Sequence, residues 1–269
     1  MDRARIVRRE LPHPGWTLNL VEASRLQSGE RVLVVVDEPL LEQGSQLMAA
    51  CADAGATPHL ELWTGTAPTA EGARADVALF LAEEPQAHEA HERFALSKSV
   101  GEHGGRMIFL GFVDRELLEG ELSQARVDLS ETARLFLAEL EGSRELHIRG
   151  RAGTDLTLSV EGRGWLTDST PLGPGEFANY PNGEVYVAPL EDSANGVLVA
   201  DLTVPYTVKG LVDAPVTLRF ERGRVTAIEG GRAAQMLREL VADAGNGADV
   251  IAELGIGRAS CRERVLPTV

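Results

Sequence analysis

Two carboxylates in this chain stand among neighbours that make them unusual. Glu184 opens the apolar run of "NGEVYVAP", directly after the tight-turn pair Asn182-Gly183. A charge at the first position of such a strand faces either solvent or a cation. Glu253 lies between small and apolar residues in "VIAELGIG", the setting of an entry to a metal site. Carboxylate oxygens are hard donors that bind or bridge divalent cations, and a cation so held polarises a carbonyl and acidifies a bound water. Other constellations read as structural. His88 and His91 in "HEAHE" are three apart, where a zinc-protease helix needs four and a further ligand, so they read as a solvated helix face. His13, His59, His103 and His147 are scattered. After "VLVVV" come Asp37, Glu38 and Pro39 in place of a glycine-rich turn, and two acids there would repel a pyrophosphate. No catalytic residue is assigned from these patterns.

The elements that must position these groups change character midway. "RVLVVV" (31–36), "HLELW" (59–63), "DVALFL" (76–81) and "RMIFLGF" (106–112) are short apolar runs separated by helical stretches, one of which ends at Gly55. Continuous apolar character means strands covered on both faces, which predicts a Rossmann-like parallel sheet. From about Glu145 the period becomes two. "ELHIRG", "DLTLSVEG", "GEVYVAP", "GVLVADLTV" and "PVTLRFERGRVTAIEG" predict antiparallel hairpins, with Val216, Leu218 and Phe220 on one face and a turn at Arg222-Gly223. The fold class expected is α/β: an N-terminal α/β domain over 1–143, then a β-rich (α+β) metal-site domain over 144–257.

Composition narrows the partners. Twenty-six Lys and Arg against 41 Asp and Glu leave a net charge of −15, which repels phosphate backbones and anionic lipid, so neither nucleic acid nor a membrane is expected. The N-terminus lacks the apolar core of a signal peptide, and a cytoplasmic location is the expectation. Cys51 and Cys261 alone provide neither a disulfide framework nor a cysteine zinc site.

The segment "FANYPNGEVYVAPLEDSANGVLVAD" (177–201) resembles the thermophilic-type metallo-aminopeptidases, the leucyl aminopeptidase or aminopeptidase T family, through its Asn-x-Pro-x-Gly-Glu-Val-x-x-Ala-Pro block and the following Gly196 and Asp201. "SGERVLVVVDEPLLEQGSQLMAACADAGA", "GTDLTLSVEGRGWLTDST" and "IAELGIG" extend the likeness to about residue 257. The resemblance implies a peptidase releasing N-terminal residues from small peptides at a pair of divalent ions (Zn, Co, Mn or Mg), with Glu184 and Glu253 as metal ligands, and a homodimer. The same wider family contains ring-cleaving enzymes similar to 2,5-dihydroxypyridine dioxygenase, which use one Fe(II) on a His, His, carboxylate face. A non-catalytic binding protein of the same fold is the third alternative. The family's two histidine ligands and its aspartate have no counterpart here, since the last histidine is His147. The chain is therefore expected to be truncated, with an incomplete site and little activity. "IGRASCRERV" (256–265) matches one reading frame of a common sequencing adapter, so residues 258–269 are expected to be a non-native tail.

Overall fold

A computed structural model of the protein describes residues 13–66, 74–125 and 127–257. In chain order its elements begin with helix α1 (Gly15–Ala23), strand β1 (Arg31–Val36), α2 (Leu41–Asp53), β2 (Thr57–Leu62), β3 (Val77–Ala82), α3 (Ala90–Glu102), β4 (Arg106–Gly111) and α4 (Arg115–Glu119). They continue with α5 (Ser130–Leu140), β5 (Glu145–Arg149), β6 (Asp155–Ser159), β7 (Leu166–Asp168), β8 (Phe177–Asn179), β9 (Glu184–Val187) and β10 (Asn195–Ala200). Strands β11 (Val216–Glu221) and β12 (Arg224–Glu229), helix α6 (Arg232–Ala244) and strand β13 (Leu254–Gly257) complete them. The chain divides into two compact units, Met1–Leu129 with Ser169–Asn182, and Ser130–Asp168 with Gly183–Val269.

The first unit is built on a five-stranded sheet in the order β2-β1-β3-β4-β8, every pair parallel. Successive residues of a strand point to opposite faces, and here the apolar run fills both. Val32, Val34 and Val36 join α1 and α2 residues such as Leu20, Leu47 and Cys51 in one core, while Leu33 and Val35 join Phe80 and the α3 residues Leu96 and Val100 in another. Each fully buried Leu or Val stabilises by about 1.5–3 kcal/mol. Pro58, which cannot donate to a ladder, falls on the edge strand β2, where one side needs no partner. Helix α2 stops at a Schellman motif. Gly55 takes φ +86, Ala56 N–H donates to Cys51 O at 3.1 Å, and Gly55 N–H donates to Ala52 O at 2.9 Å.

The second unit holds two antiparallel sheets, β12-β11-β10-β6-β5 and β13-β9-β7. Leu156, Leu158, Val187 and Phe220 form its main core, and Val216 packs with Ala233 and Ala234 of α6 in a smaller one. The β11–β12 turn has positive φ at both central residues, 47° at Arg222 and 77° at Gly223, the twist that a two-residue hairpin requires.

The expected mixed α/β architecture is present: parallel strands first and, β8 apart, antiparallel strands after. The division between units differs from the 143/144 boundary read in the sequence. Helix α5 packs against β9 and so lies in the second unit, and residues 169–182 return to the first because β8 adds to the parallel sheet beside β4. Strand β8 is only "FAN", too short for a period to show. The adapter-like residues 258–269 lie outside the described residues, as does Cys261.

Candidate functional site

Strand β9 positions the site by simple alternation. Val185 and Val187 are buried in the second unit, so Glu184 and Tyr186 emerge together on the opposite face, each half-buried. The flanking strands finish that face. On β7, Asp168 lies directly across from Glu184, and Leu166 across from Tyr186. On β13, Gly257 pairs with Glu184 and Gly255 with Tyr186, while Leu254 packs toward the core. Glu253 is exposed and immediately precedes β13. Glu184 and Glu253 are 69 positions apart in sequence (253 minus 184), and the pairing of β9 with β13 brings strand residue Glu184 to the same sheet that Glu253 leads into.

The electrostatics of this face are unfavourable for folding. Burial raises the Glu184 pKa above the ordinary carboxylate value, and the charges of Glu253 and then Asp168 raise it further. Tyr186 is pushed up by burial and then by Asp168, Glu253 and Glu184. Like charges directly opposite in an antiparallel pair destabilise a sheet by up to about 1 kcal/mol. Among the described residues no arginine, lysine or hydrogen-bond donor engages the Glu184 carboxylate to offset this. Elsewhere in the same unit acids of this kind are matched, as where Arg163 donates to both oxygens of Glu191 at 2.8 and 2.7 Å. A carboxylate such as Glu184, raised by burial and by the charges of neighbouring acids, is suited to holding a cation or a proton.

No histidine joins them. His88 and His91 are both exposed in the first unit, as a solvated face, and His91 lies beside Glu92 at 3.8 Å. His147, on β5, is engaged by Asp155 Oδ1 at 2.6 Å and receives the Arg149 Nε–H at 3.2 Å. Among the described residues no three His, Cys, Asp or Glu side chains converge to hold a metal. The charges of Glu253 and Asp168 act on Glu184, but the three side chains do not meet at one point. Cys51 is buried, its thiol pushed up to about 12 by burial, and provides no ligand. Asp37, in the acidic turn after β1, accepts the Glu83 N–H at 2.8 Å and is tied to the backbone.

Reading the sequence alone missed Asp168 and Tyr186. Both lie within motifs already visible, "GWLTDST" and "GEVYVAP". Tyr186 follows Glu184 by the strand period, a signal that was available. Asp168 could be found only by knowing the β7–β9 register.

A two-unit α/β protein with an acidic face on its small antiparallel sheet is the class that this geometry defines. Residues 91–260 match the family model described as NicX: 2,5-dihydroxypyridine 5,6-dioxygenase, which is more than half of the chain, and the chain belongs to that family. It is 35% identical over 115 residues to 2,5-dihydroxypyridine 5,6-dioxygenase of Pseudomonas putida KT2440, covering 39% of this chain and 31% of the relative. It is 34% identical over 95 residues to aminopeptidase AmpS of Bacillus subtilis 168, covering 33% of this chain and 22% of the relative. It is 31% identical over 114 residues to aminopeptidase T of Thermus aquaticus, covering 41% and 27%. These matches span less than a third of the relatives' own lengths. A solved structure of 2,5-dihydroxypyridine dioxygenase from Pseudomonas putida KT2440 superposes with a TM-score of 0.67 at 21% identity, over 90% of this chain and 76% of that one, which establishes a common fold.

These findings correct the aminopeptidase reading. The resemblance to aminopeptidases T and AmpS is real at low identity, but the family match and the dioxygenase relative place the chain with the ring-cleaving alternative. The hydrolase and peptidase assignment is withdrawn. The error has a physical source: "NGEVYVAP" and "AELGIG" specify a sheet face and its acids, and one such face serves more than one chemistry on a shared fold.

Proposed function

We propose that this chain carries the fold and the carboxylate side of an iron-dependent dioxygenase that opens a dihydroxypyridine-type ring. The observation that carries the reading is the family match over 91–260, which contains every strand of the acidic face, including Glu184 and Glu253. Hard carboxylate oxygens are a donor type that suits ferrous iron in oxygenases. Bound iron would supply the one-electron chemistry that molecular oxygen needs to react with a closed-shell ring. The described residues offer acids and no histidine, so they form part of a ligand set and not the whole of one. Glu184 and Glu253 are the proposed carboxylate ligands.

What the chain's own residues contribute is preorganisation. Val185 and Val187 anchor β9 in the core, so Glu184 and Tyr186 are held on one face without loop freedom. The Tyr186 phenol is kept protonated by burial and by the surrounding acids, which makes it a hydrogen-bond donor for an anionic oxygen on a substrate ring. No helix among the described residues is long and apolar enough to cross a membrane.

Because the described residues supply only part of a ligand set, the test is anaerobic binding of 2,5-dihydroxypyridine to the chain with and without Fe(II), followed by ring absorbance, in the wild type and in Glu184→Gln. The reading expects an Fe(II)-dependent shift of the ring absorbance that is weakened in Glu184→Gln. No Fe(II)-dependent shift in the wild type contradicts it.

A further inference from the structure

Gly255 occupies a place on the acidic face that no side chain could share. It pairs across the sheet with Tyr186, one step diagonal from Glu184. A Cβ built on Gly255 would coincide with the Glu184 Oε1 oxygen and lie 2.8 Å from its Cδ. The Glu184 side chain therefore does not stand straight up from β9. It leans over the bare backbone of β13, toward the end of that strand which Glu253 precedes. Gly257, the other glycine of β13, has room for a side chain, since a Cβ there would meet nothing closer than 3.9 Å. Leu254 packs on the core, and Gly255 has no positive φ that would require glycine for backbone reasons. Glycine also weakens a strand, by roughly 0.5–1 kcal/mol relative to alanine. Its presence there needs a reason in space, and the overlapping atom is the carboxylate of a proposed ligand.

We propose that Gly255 is a positioning residue whose missing side chain is the seat of the Glu184 carboxylate, bringing Glu184 and Glu253 to bear on one cation. This rests on the reading of Glu184 as a metal ligand. The overlap involves only the far end of a flexible side chain, so an added methyl displaces the carboxylate without breaking the strand.

The experiment compares the wild-type chain with Gly255→Ala, using Mn(II) as an air-stable probe of the iron site, read by equilibrium binding and electron paramagnetic resonance, with thermal unfolding of the metal-free proteins. The expected result is unchanged or slightly higher stability in Gly255→Ala and Mn(II) affinity lowered by about 10–100-fold, the range for removing support from a ligand. In a Glu184→Asp background the shorter acid no longer reaches over residue 255, and Gly255→Ala should then cost nothing further. Equal Mn(II) affinity in Gly255→Ala and wild type overturns the inference, as does an equal loss in both backgrounds. If the wild type binds no Mn(II), the ligand reading fails by itself. Crystal structures of the two metal-free proteins then decide Gly255: a displaced Glu184 carboxylate supports the seat, and an unmoved one refutes it. Should Gly255→Ala alone fail to fold, recovery of folding by Glu184→Asp supports the clash, and continued unfolding overturns it.

Discussion

Each unit partly buries charge, and the two do so in opposite ways. In the first, the Arg106 guanidinium is 7% exposed and donates to Glu30 at 3.0 and 2.7 Å, to the Arg25 carbonyl at 2.8 Å, and to the Ser24 carbonyl. Burial works against ionisation of Glu30, but the Arg106 hydrogen bonds, the Gln27 N–H and the Arg106 charge outweigh it, and the Glu30 pKa falls below the ordinary value. In the second unit Glu184 has burial and two further acids acting on it, all in the same direction. A bidentate pair with its remaining donors satisfied is a structural knot. Glu184, raised by burial and by its acidic neighbours, gives up stability for something other than folding. The difference separates architecture from site: whether the buried charge is satisfied tells them apart.

The largest effect that would break this comparison lies at the knot. Arg106→Met should destabilise the first unit by about 3–5 kcal/mol, because it leaves Glu30 partly buried without its partner; chemical denaturation measures it, and a loss below about 1 kcal/mol would mean that the pair is ornamental. Glu184→Gln should act the other way, stabilising the metal-free second unit by roughly 0.2–1 kcal/mol through relief of like-charge repulsion, visible as a higher denaturation midpoint. The smallest effect is in the pH dependence. Glu184 has a raised folded pKa, so its contribution is present below the ordinary carboxylate value of 4.5 and is lost as pH rises through the folded value. Glu30 has a lowered one, so its contribution is present above that value and is lost only as pH falls through the folded pKa. Hydrogen exchange in the metal-free protein should show second-unit amides becoming less protected as pH climbs from the carboxylate range, after correction for intrinsic rates. Glu30 should contribute no such trend to the first unit.

What the sequence made legible follows the range of the physics involved. "RVLVVV" announces a strand covered on both faces because burial there depends on local composition, and β1 fills both cores. Gly55 is visible as a helix end for the same local reason. Glu184 and Glu253 were legible as charges out of place, and their pairing as metal ligands followed from motif likeness. Asp168 was not legible, since only the pairing of β7 with β9 sets it opposite Glu184, and pairing is a tertiary choice. The division between units differs at β8, whose three residues carry no period and join a sheet whose other strands lie within residues 31–111. The chemistry was the least legible of all. A carboxylate on a strand is compatible with peptide hydrolysis and with oxygen chemistry, and the family match chose between them.

The most direct test of the central claim, that the acidic face of β9 is retained for a cation at the expense of stability, is an anaerobic calorimetric titration of Fe(II) into the wild-type chain and into Glu184→Gln. The account predicts saturable Fe(II) binding by the wild type that falls by at least about tenfold in the variant, while the same metal-free variant is the more stable of the two. Fe(II) binding that is unaffected by Glu184→Gln, or a variant less stable than the wild type, would contradict it.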